Sequence, residues 1–235
     1  MKLNYRRTVF VGLAFMSICA FWQVYDNIIP LILKYTFHVD DTLTGVVMAM
    51  DNILALVMLP MFGKFSDRTR TAIGRRMPYI LGGTVGALLF MFLLPLAERT
   101  ENLALFFIGL ALVLISMATY RSPAVALMPD VTPKPLRSQG NAVINLMGAV
   151  GGMLMLAAMQ FLLPGAKEGE AYRPNYLPIF IVLGVCMAVC VALLFWKINE
   201  PKCVAEMEAE SVGLEEEPEP EKNAGTGEKL TGPQL

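Results

Sequence analysis

Two aspartates, Asp26 and Asp51, lie within long apolar stretches that contain no other charge. A charged group inside a membrane-spanning helix is costly, and it usually marks the path of an ion, a proton or a substrate. Gln23, Asn27 and Asn52 lie close to the two aspartates in the sequence. A carboxyl group that binds and releases a proton, beside amides that bind hydroxyl groups, is suited to moving a polar solute together with a proton.

The two aspartates are predicted to lie at a similar depth in the membrane. Each is seven residues from the predicted outer end of its helix, at Leu33 and at Thr44. A rise of 1.5 Å per residue then places both carboxyl groups roughly 10 Å below the outer surface, where they could face one cavity. The alternative is that each aspartate binds a neighbouring backbone group or lies in a hydrated outer opening.

Six stretches are long and apolar enough to cross the roughly 30 Å hydrocarbon core of a bilayer as helices. Up to residue 202, thirteen Lys and Arg residues fall in one alternating set of termini and predicted loops, and four fall in the other set. This asymmetry predicts that both termini are cytoplasmic. The predicted spans are Val9–Leu33, Thr44–Phe62, Pro78–Leu96, Leu103–Tyr120, Ala142–Leu163 and Tyr176–Trp196.

The composition excludes several classes of protein. Hydrophobic residues make up 55% of the chain and charged residues 17%, with a mean hydropathy of +0.54, so an all-α integral membrane protein is predicted. No basic segment with interleaved aromatic residues is present to bind nucleic acid. Cys186 and Cys190 share a helix face without a histidine or carboxylate beside them, and the one histidine, His38, lies in a short predicted loop. We therefore expect no metal site, no cofactor and no enzymatic activity.

The character of the sequence changes near residue 199. Residues 1–198 are predicted to form a six-helix transmembrane bundle, whereas residues 199–235 are rich in Glu, Pro, Gly and Lys. A segment with almost no large apolar residues cannot bury a core. We therefore expect residues 199–235 to form an acidic, disordered cytoplasmic tail or linker.

Further polar, small and aromatic residues lie in the predicted helices. Asn145 shares a helix face with Gly148 and Gly152, which favours close packing against another helix, although Asn145 could also bind substrate. Trp22 and Tyr25 lie near the predicted outer surface. This position favours an aromatic belt at the membrane interface, although aromatic rings also stack on sugars.

The loop after the second predicted helix reads PMFGKFSDRTRTAIGRRMPYI. An acidic residue among arginines can hold a gate through charge-assisted hydrogen bonds, although simple charge anchoring of the loop gives the same pattern. The loop resembles the signature loop of the major facilitator superfamily. Its longer spacing is similar to that of the sucrose-transporter-like carriers and the glycoside–pentoside–hexuronide cation symporters. The matching residues are Gly63, Asp67, Arg68, Gly74, Arg75 and Arg76.

A second segment, YRSPAVALMPDVTPKPLRSQGNA, resembles a pattern of the same carriers. The matching residues are Pro123, Ala126, Leu127, Asp130, Thr132, Pro133 and Arg137. The resemblance implies a cytoplasmic gate in which Asp130 and Arg137 join the charged residues of the first loop.

The chain departs from these families at two places. Many of the cation symporters carry paired aspartates on the second helix, where this chain has Ala55 and Leu59, so sodium coupling through that site is not implied. The sucrose-transporter-like carriers often have an arginine two residues after the proline of the second pattern. Val125 stands there in this chain, and Arg121 precedes the proline.

The resemblance covers about residues 1–200 and implies one half of a major facilitator fold in the cell membrane. The implied function is secondary active transport, as proton-coupled symport of a sugar or glycoside by alternating access. The expected partners are a small sugar, a proton, the lipid bilayer, and either a second six-helix half or a second copy of this chain. The alternative is a non-transporting membrane scaffold or regulatory subunit that retains the half-fold.

Overall fold

The computed structural model describes residues 3–163 and 174–215, with side chains up to residue 210. Within these ranges, six helical segments are long and apolar enough to cross a membrane, which confirms the six predicted spans. Most of the interval between the fifth and sixth predicted spans, residues 164–173, lies outside the described residues, as does 216–235. The helices are α1 (Tyr5–Tyr35), α2 (Asp41–Arg68), α3 (Met77–Met91), α4 (Leu93–Arg99), α5 (Leu103–Asp130), α6 (Arg137–Leu162), α7 (Leu177–Lys197) and α8 (Glu200–Glu215).

Polar side chains fix where three of the spans begin. The side-chain oxygen of Asn4 accepts a hydrogen bond from the backbone N–H of Arg7 at the start of α1. Asp40 and Asn102 cap α2 and α5 in the same way. Each cap satisfies a backbone donor that the helix leaves free, and its loss costs about 1 kcal/mol.

Helix α1 lies at the centre of the bundle and packs closely against α6. A side chain at Gly148 would place its Cβ 2.8 Å from the sulfur of Cys19, and one at Gly151 would overlap the backbone oxygen of Met16. Gly152 is also buried in this contact. The glycines therefore allow the two helix backbones to approach, which confirms the close packing predicted for this face of α6.

Helix α5 connects the centre of the bundle to α2 and α3. The hydroxyl of the buried Tyr120 is 2.5 Å from Ser17 Oγ and donates to the Ala14 carbonyl at 3.0 Å, which links α5 to α1. Ser122 Oγ donates to the Leu59 carbonyl of α2 at 2.7 Å. These bonds satisfy polar groups that have no water to bind inside a membrane.

Helix α2 is the least covered of the spans. Of its 28 residues, only Thr44, Val47 and Ser66 are buried. Ile53, Leu56 and other apolar side chains point away from the bundle. This apolar face is suited to contact with lipid or with another set of helices.

The start of the acidic C-terminal segment differs from the prediction. Residues Glu200–Glu215 form helix α8, so the predicted disorder from residue 199 is wrong for this stretch. Glu200 is 1% exposed, and its carboxylate accepts hydrogen bonds from the backbone N–H groups of Arg75, Arg76 and Met77. Arg7 of α1 also forms an ion pair with Glu206 at 3.3 Å. These contacts with distant residues hold a segment that has little apolar surface of its own.

Candidate functional site

A small recess lies between α1, α2 and α5, within the membrane-spanning part of the bundle. It brings one carboxylate, one guanidinium and one indole into an otherwise apolar wall, where electrostatic interactions are stronger than in water. A single small polar group, such as one hydroxyl, would therefore find both charge and an aromatic surface here. The lining residues are Trp22, Asp51 and Arg121, with Leu54, Ala55, Leu59, Leu114 and Ala118.

Trp22 is the aromatic wall of this recess. The guanidinium carbon of Arg121 lies 5.5 Å from the centre of the Trp22 ring, in a cation–π contact. Trp22 also packs edge-to-face against Phe21 and Tyr25, with ring centres 5.3 and 5.2 Å apart. The predicted interfacial belt is wrong for Tyr25, because that side chain is only 3% exposed and is packed inside the bundle.

Two polar atoms beside the recess have no hydrogen-bond partner in the described part of the chain. They are the indole N–H of Trp22 and the hydroxyl of Tyr25, and both are buried. Buried polar atoms are nearly always paired in folded proteins. These two atoms are therefore free to bind a group that enters from outside the chain, such as a hydroxyl.

Asp26 and Asp51 lie on two neighbouring helices, α1 and α2. Asp51 is half-buried and accepts hydrogen bonds from the backbone N–H and the side-chain amide of Asn52, at 2.6 and 2.9 Å. Asp26 is exposed on α1. Of the two predicted carboxylates, Asp51 is the one that lines the recess.

The other predicted amides lie along the surface shared by α1 and α6. Gln23 is half-buried, and its side-chain oxygen would be 3.5 Å from a Cβ placed at Gly152. Asn27 is exposed and donates to the Gln23 carbonyl at 2.7 Å. Asn145 is exposed on α6. None of these three amides is among the residues that line the recess with Asp51.

Arg121 is the site residue that sequence reasoning missed. The predicted fourth span ended at Tyr120, which placed Arg121 in a loop, but α5 continues through Pro123 to Asp130. The predicted span ended where the uncharged apolar stretch ends, although a helix can continue beyond that point. The apolar residues Ala124, Leu127 and Met128 recur at helical spacing and are buried, and this pattern could have revealed the longer helix.

A second polar cluster, the arginine cluster, joins α2, α3, α5 and α8 at one end of the bundle. At its centre is Arg76, which is 5% exposed. Its guanidinium donates to Asp130 at 2.8 Å, to Asp67 at 2.5 Å and to Ser66 Oγ at 2.6 Å. The cluster comprises Gly63, Ser66, Asp67, Gly74, Arg75, Arg76, Asp130 and Glu200.

Asp130 and Glu200 complete the arginine cluster from the ends of two other helices. Asp130 also accepts from Arg75 at 3.0 Å, so a single carboxylate holds two arginines. Glu200 binds three backbone N–H groups at the start of α3, where the helix dipole favours a negative charge. The motif match did not include Glu200, because its partners are more than 120 residues away in the sequence.

Both glycines of the first motif have a structural role at this cluster. The backbone carbonyl of Gly63 accepts from Ser66 Oγ at 2.8 Å and from Arg76 at 3.5 Å. Gly74 has a φ of +116°, a conformation that favours glycine, and a Cβ there would overlap the Glu200 side chain. Gly74 thus lets the carboxylate approach the backbone of α3.

Two residues of the predicted gate lie apart from the arginine cluster. Arg137 donates to the carbonyls of Pro129 at 3.0 Å and Thr132 at 3.3 Å, which closes the connection between α5 and α6. Arg68 is exposed at the last residue of α2. In the described part of the chain, neither arginine is paired with Asp67 or Asp130.

The fold is that of a multi-pass membrane protein. Its recess is lined by two charged side chains and one aromatic side chain from three different membrane-spanning helices. Residues 11–231 match the family model described as Major Facilitator Superfamily. This match covers most of the chain, and the chain belongs to the Major Facilitator Superfamily. The superfamily is one of transporters rather than enzymes.

Several curated relatives resemble the chain at low identity. Solute carrier family 45 member 3 of Mus musculus is 28% identical over 187 residues, which is 73% of this chain and 32% of that protein. Proton-associated sugar transporter A of Homo sapiens is 28% identical over 172 residues, 68% of this chain and 23% of that protein. Sucrose transport protein SUT3 of Oryza sativa subsp. indica is 28% identical over 138 residues, 51% of this chain and 27% of that protein.

The chain therefore spans about a third or less of the length of these relatives. No solved structure matches the chain.

Proposed function

We propose that the chain forms one half of a secondary transporter that moves a sugar or glycoside together with a proton by alternating access. Two of the relatives are named as a proton-associated sugar transporter and a sucrose transport protein. The recess offers chemistry that suits such a substrate. The observation that carries the proposal is the convergence of Trp22, Asp51 and Arg121 from three helices on one recess.

Each of these three residues has a distinct role in the proposal. Asp51 binds and releases the proton, because it is the carboxyl group that lines the recess. Arg121 provides a fixed positive charge on the wall of the same recess. Trp22 offers a flat apolar ring for a sugar face and an unpaired N–H for a hydroxyl.

The remaining predicted polar residues would act at the edge of the same cavity. Asp26, which is exposed on α1, is the second candidate for the proton. Gln23, Asn27, Asn52 and Asn145 carry amides that can bind sugar hydroxyls. A mate, either a second six-helix half or a second copy of the chain, would cover the open side of α2 and complete the cavity.

The arginine cluster is proposed to act as the gate on the cytoplasmic side. Arg76, Asp67, Asp130 and Glu200 hold four helices together by charged hydrogen bonds. Such bonds can break and re-form as a unit, unlike close-packed apolar contacts. Opening the cluster would separate the helix ends and expose the cavity to the cytoplasm.

Fluorescence of Trp22 tests substrate binding directly, since the chain contains only two tryptophans. In a Trp196→Phe variant, Trp22 is the sole source of indole emission. We expect sucrose to change this emission in a saturable way in the assembly that the chain forms in the membrane. Arg121→Gln in the same background should weaken the response about tenfold or more, because it removes a cation from a partly desolvated aromatic site.

The matched control is Trp22→Phe, which leaves Trp196 at the far end of α7. Its emission should not respond to sucrose. An equal response from Trp22 and Trp196, or an unchanged affinity in Arg121→Gln, would place the binding site elsewhere.

A further inference from the structure

A basic cavity of about 260 Å³ lies where the start of α1, the end of α7 and the first turns of α8 meet. It is separate from both the recess and the arginine cluster. Three cations and one carboxylate line it, so its charge is positive. The lining residues are Asn4, Arg6, Arg7, Phe10, Lys197, Ile198, Cys203 and Glu206.

Two of the three cations keep their charge available for a ligand. Arg7 is paired with Glu206 at 3.3 Å and its side chain is only 12% exposed. Arg6 and Lys197 are exposed and form no ion pair within the described part of the chain. Burial raises the pKa of the Cys203 thiol, so that thiol stays neutral and adds no opposing charge.

The position of the cavity indicates which anion it would meet. It lies at the ends of two membrane-spanning helices, α1 and α7, at the level where lipid headgroups are found. Trp196 is 75% exposed there, and Lys197 Nζ lies 3.9 Å from the centre of its ring. Exposed tryptophans of this kind anchor helix ends at the membrane interface.

Apolar surface continues from the cavity toward the bilayer. On the other side of Lys197 a second cavity of about 210 Å³ is lined by Ile73, Phe195 and Trp196 among others. These three side chains are exposed. A ligand with a phosphate and attached acyl chains would contact the cations and this apolar surface at once, whereas a free phosphate would use only the cations.

We propose that this basic cavity binds the headgroup of an anionic phospholipid. Arg6 and Lys197 contact the phosphate, Trp196 and Phe195 contact the adjoining acyl chains, and Arg7 is held in place by Glu206. Basic pockets between helix ends are a recurrent way to hold such headgroups. The site is independent of sugar transport and does not rest on the proposed function.

Quenching of Trp196 by brominated lipid measures this binding. A Trp22→Phe variant, in which Trp196 is the only tryptophan, is placed in phosphatidylcholine vesicles with increasing amounts of phosphatidylglycerol brominated near the start of its acyl chains. We expect brominated phosphatidylglycerol to quench Trp196 more strongly than brominated phosphatidylcholine at the same mole fraction. Each lost cation should lower the preference about fivefold, so Arg6→Gln with Lys197→Gln should remove most of it.

The matched control is Lys64→Gln with Lys134→Gln, which removes two exposed cations outside the cavity. It should keep the preference for the anionic lipid. Equal quenching by the two lipids in the parent variant would overturn the proposal, as would equal losses in the site and control variants. Relief of quenching by millimolar inorganic phosphate would also overturn it, since the site would then bind a soluble anion.

Discussion

Asp67 and Asp130 both bind Arg76, yet their surroundings differ. The Asp67 side chain is 57% exposed and pairs with one arginine, whereas Asp130 is 15% exposed and pairs with two. Exposed ion pairs contribute little because water competes for both charges. Removal of one partner from a buried pair leaves an uncompensated charge and is costly.

We therefore expect Asp130→Asn to destabilise the protein by about 3 kcal/mol or more. Asp67→Asn should cost only about 1 kcal/mol and leave the protein folded. Denaturant titration of the two variants in mixed micelles measures both values. Equal losses would mean that the arginine cluster does not depend on Asp130 as its buried centre.

The sequence identified most of the charged residues of the arginine cluster, because the two motifs placed acidic and basic residues on one predicted side of the membrane. It did not identify Glu200 of the arginine cluster or Arg121 of the recess. Glu200 accepts hydrogen bonds from the backbone N–H groups of Arg75, Arg76 and Met77. Almost every residue has a backbone N–H, so such a bond cannot be predicted from the types of the partner residues. Arg121 was assigned to a loop because the uncharged apolar stretch of the fourth predicted span ends at Tyr120.

At the scale of helices, hydropathy predicted the existence of each span but not where it ends. Helix α2 continues to Arg68 and α5 to Asp130, beyond the apolar stretches that define the spans. Ser66 and Asp67 near the end of α2, and Asp130 at the end of α5, are stabilised by their contacts in the arginine cluster rather than by intrinsic helix propensity. Helix α8 also depends on the arginine cluster. Its acidic composition alone favours disorder, and the hydrogen bonds of Glu200 hold its first turn against the start of α3.

Glu200→Gln is predicted to release α8 from the start of α3. The variant keeps the size of the side chain but loses the charge that the three backbone N–H groups and the helix dipole favour, a cost of about 1–3 kcal/mol. Limited proteolysis of α8 should become faster. Glu208→Gln, an exposed change on the same helix, is the control, and equal protection in both variants would contradict this role for Glu200.

The α1–α6 contact gives a second prediction for a pair of helices. Gly151→Ala should lower the melting temperature, because its Cβ would overlap the Met16 backbone oxygen; overpacking of this kind costs about 1–3 kcal/mol. Gly82→Ala is the matched control, since nothing lies within 4 Å of that Cβ. Alanine there should be neutral or stabilise the helix by up to about 1 kcal/mol. Similar melting temperatures for the two variants would show that α1 and α6 are not closely packed.

At the scale of the whole molecule, the open side of α2 leaves Asp51 close to the edge of the bundle. A charge in contact with lipid at depth costs about 2.5–3.5 kcal/mol by insertion scales. A mate over α2 would remove this contact and supply the second wall of the cavity. Parallel halves related by an axis along the membrane normal are a known arrangement in such transporters.

The chain as a monomer is therefore not expected to accumulate sugar, whereas its assembly with a mate is. Saturable, proton-dependent uptake by a species of monomeric mass would contradict the proposed half-transporter. Absence of uptake from every assembly would favour the scaffold or regulatory subunit that the sequence also allowed.

Proton-driven sucrose uptake by the assembled protein in proteoliposomes, compared between the parent and Asp51→Asn, tests the proposed role of the recess most directly. Asparagine keeps the shape and hydrogen bonding of the side chain but cannot carry a proton, so we expect accumulation driven by a pH gradient to be lost. Asp41→Asn, whose carboxylate is exposed and paired with Lys34, should accumulate sucrose as the parent does. Uptake at the parent rate in Asp51→Asn would contradict the proposal that Asp51 carries the proton.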